Sequence, residues 1–159
     1  MKKYELTAEF IEKLGKKLFR IKALISFGSV EAGELGGYVE KEDNLAQDGD
    51  AWVCGNAEVY GDARVCGNAW VCGNADYLLI GRIGSRFSFT TFFKNKDKGI
   101  TVSCGCFLGT IAEFRAKVTG KHGNNKHAKM YNLAADMAEL QILGEEHFDK
   151  LNTNKSEPF

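Results

Sequence analysis

Three groupings of residues could do chemistry. The first is Cys104-Gly105-Cys106 followed by His122 and His127, a C-x-C and an H-x4-H. Thiolate and imidazole are ligands that zinc favours, and cysteines at i and i+2 of a strand share a face. That face also carries Ile100 and Val102, which makes the cysteines small core residues. Zinc fingers space their cysteines by two to four residues, so no metal is assigned. The second grouping is a strand pair. Residues 86–94 put Phe87, Phe89 and Phe93 on one face and Arg86, Ser88 and Thr90 on the other. Thr101, Ser103 and Gly105 stand opposite an apolar face on the next strand and extend the hydroxyl side. With Arg82 and Ser85 at its flank and no carboxylate, this surface suits a small anionic or nucleotide-like ligand held by arginine forks. The third is a polar, basic loop, Lys121, His122, Asn124, Asn125, Lys126 and His127. The competing reading for each of these residues is ordinary solvated surface.

The elements that must position these residues follow from pattern. Residues 77–144 read as an α+β module of three strands and two helices. The strands are Tyr77–Ile83, Arg86–Lys94 and Ile100–Phe107, with Asn95–Gly99 as a hairpin turn. Thr110 and Glu113 form a capping box that opens a helix with Ile111, Phe114 and Val118 on one face, and Gly120 closes it. A second helix spans 126–143, with Met130, Leu133, Ala134, Met137, Leu140 and Ile142 at core spacing and Gly144 at its end. Residues 145–159 read as a polar, frayed tail. Two helices cover only one side of the sheet, which leaves the hydroxyl side to solvent. Residues 1–46 read as an N-terminal β cap, a strand, a turn around Gly15 and an alternating strand over 18–24.

Between cap and module the chain repeats itself. The phrase Gly-[Asp/Asn]-Ala occurs five times at a period of six, at Gly49, Gly55, Gly61, Gly67 and Gly73. Valine follows at 53, 59, 65 and 71. An Ala-x-Val strand can turn both side chains inward, and Gly-Asn or Gly-Asp accepts the positive φ of a tight corner. Residues 47–76 hold five such hexads.

The pairs Val53/Ala57, Val59/Ala63, Val65/Ala69 and Val71/Ala75 resemble the motif of hexapeptide-repeat proteins, which form a left-handed parallel β-helix. The run from Gly36-Gly37-Tyr38-Val39 to Asn44-Leu45 is similar to the opening of small phage and prophage members of that group. The segments Ile83-Gly84-Ser85-Arg86, Cys104-Gly105-Cys106-Phe107 and Gly109-Thr110 also resemble the unit found beside such repeats in phage proteins. The resemblance implies a mainly β protein, a short left-handed β-helix joined to the β-β-β-α-α module. It implies three hexads per coil, so residues eighteen apart stack at roughly 4.8 Å. Trp52 then stacks on Trp70, Cys54 on Cys72, and Asp48 lies beneath Cys66. Stacking would bring Cys54 and Cys72 within disulfide range, but five cysteines and no signal peptide favour free thiols. Five hexads make fewer than two coils, so the flanks or a second subunit must cap the stack. Trp52, Trp70 and Arg64 are the candidate interface of a dimer or trimer.

Hexapeptide-repeat folds often imply acyl transfer from acetyl-CoA with a histidine beside the coil. Here His122, His127 and His147 all lie C-terminal to the repeat, so the general base is missing. The expected function is non-enzymatic: sequestering a small anionic or nucleotide-like ligand, or blocking a host defence protein if phage-encoded. A hexapeptide acyltransferase is the runner-up and a ligand-free structural protein the third reading. No cofactor is expected. Twenty-one basic against twenty-one acidic residues argue against bulk nucleic-acid binding. No apolar run approaches a membrane span, and the expected compartment is the cytoplasm.

Overall fold

The structure is a computed structural model that describes residues 2–156. A four-stranded mixed sheet opens the chain. Its first strands, β1 (Tyr4–Lys13) and β2 (Lys16–Ala23), form an antiparallel hairpin turning at Leu14-Gly15. Here β3 (Leu35–Val39) joins β2 antiparallel and β5 (Glu58–Val59) in parallel. A separate parallel pair, β4 (Trp52–Val53) and β6 (Trp70–Val71), comes from the repeats. The third sheet is antiparallel, with β7 (Tyr77–Ile83), β8 (Ser88–Lys94), β9 (Ile100–Cys104) and β10 (Phe107–Thr110) in the order β10-β9-β8-β7. Three helices follow: α1 (Ile111–His122), α2 (Lys126–Ala138) and α3 (Glu145–Ser156). Among the described residues no helix is long and apolar enough to cross a membrane.

This architecture corrects the expected left-handed parallel β-helix. The chain builds mixed and antiparallel sheets with three helices, and the repeats supply strands of only two residues each. The physical reason is length. Five hexads give each coil at most one neighbour, and a stack that short cannot bury a core against itself. The missing layers come from elsewhere: β5 is absorbed into the sheet of the N-terminal hairpin, and Ala69 bridges to Asn95 of the third sheet. The eighteen-residue register itself is present locally, with Trp52 opposite Trp70 and Val53 opposite Val71. Gly49, Gly55, Gly61 and Gly67 take φ between 60° and 70° at their corners. Gly73 is the exception; its φ of −145° opens a short 3-10 turn, Asn74–Asp76, that leads into β7.

Two cores flank the third sheet. The first gathers the inward Ala-x-Val residues (Ala51, Val53, Ala57, Val59, Ala63, Val65, Ala69, Val71) with Tyr4, Ile21, Val39, Trp52 and Phe93. The second gathers Phe92, Ile100, Val102, Phe114, Val118, Tyr131 and the alanines of α2. Adjacent residues Phe92 and Phe93 therefore point to opposite faces of β8, and both are fully buried. The expected hydroxyl side is therefore not one open surface: Thr91, Thr101 and Ser103 lie against the repeats, and Ser88 and Thr90 face the helices.

Several local expectations change as well. The tail beyond 144 is helical over Glu145–Ser156, and α1 runs past Gly120 to a cap at Gly123. The second helix stops at Ala138 and continues as a π-helical turn, Glu139–Leu143. Leu133, Met137 and Leu140 are exposed on it, and the buried stripe is Ala128, Tyr131, Ala134, Ala135 and Ala138. Small side chains let this helix approach the sheet closely. Cys54 and Cys72 form a disulfide with Cα atoms 4.5 Å apart, which overturns the expectation of free thiols. The stacked register alone places them within bonding range.

Candidate functional site

The capping box reads as expected. Thr110 accepts from the Glu113 amide at 3.1 Å, and Glu113 Oε1 accepts from the Thr110 amide at 3.0 Å. It starts α1 directly after β10, so the helix packs Phe114 and Val118 on the third sheet and carries Lys117, Lys121 and His122 in its second half. On the other helix, Tyr131 is positioned by Phe114, whose ring meets it edge-on at 5.6 Å, and by His122, stacked at 5.9 Å. Gly84 allows this placement. Its φ is +85°, and a Cβ there would collide with the Tyr131 hydroxyl.

These elements enclose a cleft of about 290 Å³ lined by Ser85, Arg86, Ser88, Lys117, Lys121, His122 and Tyr131, with Cys104, Gly105, Cys106 and Phe107. Three basic side chains line it, and among the described residues no carboxylate does. Among the described residues none of Arg86, Lys117 and Lys121 is in an ion pair. Lys117 lies 5.8 Å from the Phe107 ring centre. Burial and the neighbouring Cys104 push the Tyr131 hydroxyl above its ordinary pKa, so it stays a neutral donor. A cleft with three unpaired cations, two hydroxymethyl groups and a phenol is a donor-rich seat for an anion.

Of the expected ligand residues, Ser85, Arg86, Ser88, Lys121 and His122 converge here. The rest do not. Arg82 is exposed on β7 outside the cleft, and Asn124 lines a different surface hollow with Lys129 and Asn132. His127 sits 5.4 Å from His122 ring to ring, but its Nδ1 is buried without a hydrogen-bond partner. Thr90 is buried and donates to Cys104 Sγ at 3.1 Å. Thr101 is buried too, donating to Asn68 Oδ1 at 3.2 Å and accepting from Asn95 Nδ2 at 3.0 Å. These two threonines are structural links rather than site residues.

The cause is a register difference of one residue. Thr90 pairs with Cys104, and Thr91 with Ser103. Ser88 and Thr90 therefore face the helices, whereas Thr101 and Ser103 face the repeats together with Thr91. A one-residue shift turns every side chain of a strand to the other face. Lys117 and Tyr131 escaped the sequence reading. Neither belongs to the strand pair or the basic loop, and only the packing of α1 against α2 brings them together.

A second cleft of about 320 Å³ lies on the repeat side, lined by Asp62, Arg64, Ser88, Phe89, Thr91, Ser103 and Gly105. The Arg64 amide donates to Thr91 Oγ1 at 3.0 Å, which docks the repeat corner on β8. Close by, burial pushes the Cys66 thiol above its ordinary value, against the opposing hydrogen bond to Ser103. The expected interface residues also separate. Trp52 is fully buried between Tyr4 and Phe27 and cannot be an interface residue of the folded chain. Trp70 is partly buried, with Lys96 6.0 Å from its ring centre. Arg64 is exposed at the rim of the second cleft.

Cys104 lines the helix-side cleft from the sheet while Cys106 is exposed in the β9–β10 turn. Among the described residues no group of three or more His, Cys, Asp and Glu could hold a metal ion. No protein-family model matches the chain, and no curated protein is significantly similar to it.

Proposed function

We propose that the protein is a non-enzymatic binding protein that captures a small anionic ligand in the helix-side cleft. The observation that carries this reading is the convergence of Arg86, Lys117 and Lys121 on one cleft without a carboxylate among its lining residues. Like charges gathered without a counter-ion repel one another, and a bound anion relieves that repulsion. Arg86 offers a planar fork to a phosphate, the lysines act as point charges, and Ser85, Ser88 and Tyr131 donate to the remaining oxygens.

Calorimetric titration of the full chain with pyrophosphate at low ionic strength tests the reading. The expected result is saturable binding that weakens as salt is added and falls at least about tenfold in Arg86→Gln or Lys121→Gln. Binding that neither substitution alters would sink it. Acetyl-CoA belongs in the same panel, because consumption of it with an acceptor would favour the acyltransferase reading instead.

A further inference from the structure

The two clefts share walls. Ser88 and Gly105 line both, at the end of β8 and in the β9–β10 turn, so the hollows meet around that end of the sheet. Their chemistries differ. The helix-side cleft is cationic, whereas the repeat-side cleft mixes a carboxylate (Asp62), a guanidinium (Arg64), three hydroxyls and the Phe89 ring. Asp62 disfavours a phosphate there but accepts from hydroxyl or amino groups. Arg64 supplies donors for carbonyl oxygens or ring nitrogens, and Phe89 offers an aromatic edge or face. The Phe89 ring is held in place against Gly81, where a Cβ would collide with it.

Resting on the anion-seat reading of the helix-side cleft, we infer that the joined clefts form one site for a nucleoside monophosphate. Its phosphate lies among Arg86, Lys117 and Lys121, and its nucleoside reaches past Ser88 and Gly105 to Asp62, Arg64 and Phe89. The halves of the ligand match the halves of the site. The anion goes to the side without a carboxylate, and the neutral, hydroxyl-bearing aromatic part goes to the side with acceptor, donors and ring. Gly105 marks the passage: its φ is +58°, and nothing stands within 4 Å of the place a Cβ would occupy. Asparagine tolerates that conformation and would place its amide at the junction.

Titrating the full chain with inorganic phosphate, adenosine monophosphate and uridine monophosphate separates the two claims. At least one nucleotide is expected to bind about tenfold or more tightly than phosphate. Asp62→Asn should reduce that advantage and leave phosphate affinity unchanged, and Gly105→Asn, at the junction of the two halves, should weaken nucleotide more than phosphate, while Arg86→Gln weakens every ligand. Asp62 is exposed at a repeat corner, so its substitution spares the fold. Phosphate binding with no nucleotide preference, or a preference that survives both Asp62→Asn and Gly105→Asn, overturns this inference but leaves the anion seat standing. Failure of phosphate and both nucleotides to bind overturns both.

Discussion

Gly84 and Lys3 show how single residues set the terms for the rest. Gly84 combines a φ of +85° with direct contact against the Tyr131 hydroxyl. Alanine there meets a strained backbone and a collision together. Gly84→Ala should lower unfolding free energy by about 1–3 kcal/mol in urea denaturation and weaken anion binding by displacing Tyr131. Wild-type stability in that variant would refute the contact. Lys3 is 3% exposed, and its ammonium donates to the carbonyls of Ala51 at 2.7 Å and Gly49 at 3.3 Å. Burial lowers its pKa from 10.5 to about 8 despite the nearby Asp48 and Asp50, with Lys96 adding to the depression. Between those values the unfolded chain holds the proton and the folded chain does not. Stability therefore rises with pH from about 8 toward 10, by at most about 1.4 kcal/mol per unit. Above 10 the trend reverses, because burial raises Tyr77 to about 12 and shifts Tyr4 upward as well. Urea midpoints taken near pH 8 and pH 9.5 should show the rise in wild type and lose it in Lys3→Met.

At the scale of elements, the orientation of α1 depends on one polar network. Arg115 donates at 2.7 Å to both Asp136 and Glu139, and at 3.0 Å to Asn132, which ties α1 to α2 and the π-helical turn. Glu139 is only 4% exposed, so losing Arg115 strands a carboxylate in the interior. Arg115→Met is expected to cost about 2–3 kcal/mol, less than a fully buried pair because the Arg115 side chain keeps 22% exposure. Adding Glu139→Gln should recover part of that loss in a double-mutant cycle, and additive losses would show the network to be unimportant. Since Lys117 and Lys121 ride on the same helix, anion affinity should fall with Arg115→Met. Much at this scale was legible beforehand. The Thr110/Glu113 box, the Asn95–Gly99 turn and the strand–turn–strand opening depend on neighbours in the chain, and local chemistry specifies them. The face assignment of β8 was not legible. Ser88, Phe89, Thr90, Thr91, Phe92 and Phe93 alternate in no single hydrophobic pattern, because both faces of the strand are covered.

In the whole molecule, hydrogen bonds join the repeats to the third sheet and a disulfide joins the repeats to one another. Asn68 of the repeats accepts from Thr101 through its side chain and from the Lys96 amide through its carbonyl at 3.0 Å. The Tyr77 hydroxyl donates to the Glu58 carbonyl at 2.7 Å, and Gln141 Nε2 donates to the Tyr77 carbonyl at 2.8 Å. The Cys54–Cys72 bridge closes a loop of eighteen residues across the stacked β4–β6 pair. Chain entropy for a loop of that length gives about 3 kcal/mol. Reduction, or the Cys54→Ser/Cys72→Ser double variant, should lower stability by that amount or less in urea denaturation with and without reductant. The folded signal should survive, because the buried Val53–Val71 layer does not depend on the bond. Indistinguishable curves would mean that the bridge contributes nothing.

The sequence by itself determined four of the five corner glycines, the inward Ala-x-Val pattern, the Thr110/Glu113 box and the Asn95–Gly99 turn, and its resemblance to hexapeptide repeats implied the eighteen-residue register of Trp52 on Trp70. Each is set by steric and hydrogen-bonding preferences acting within a few residues or across one repeat. Only the tertiary structure decided that the repeats end as two-residue strands between other sheets, that both sides of β8 are buried, and that Lys117 and Tyr131 join Arg86 and Lys121 around one cleft. Those outcomes depend on which surfaces find a partner. A stack too short to bury its own core must take its cover from distant parts of the chain, and no local pattern records where that cover comes from.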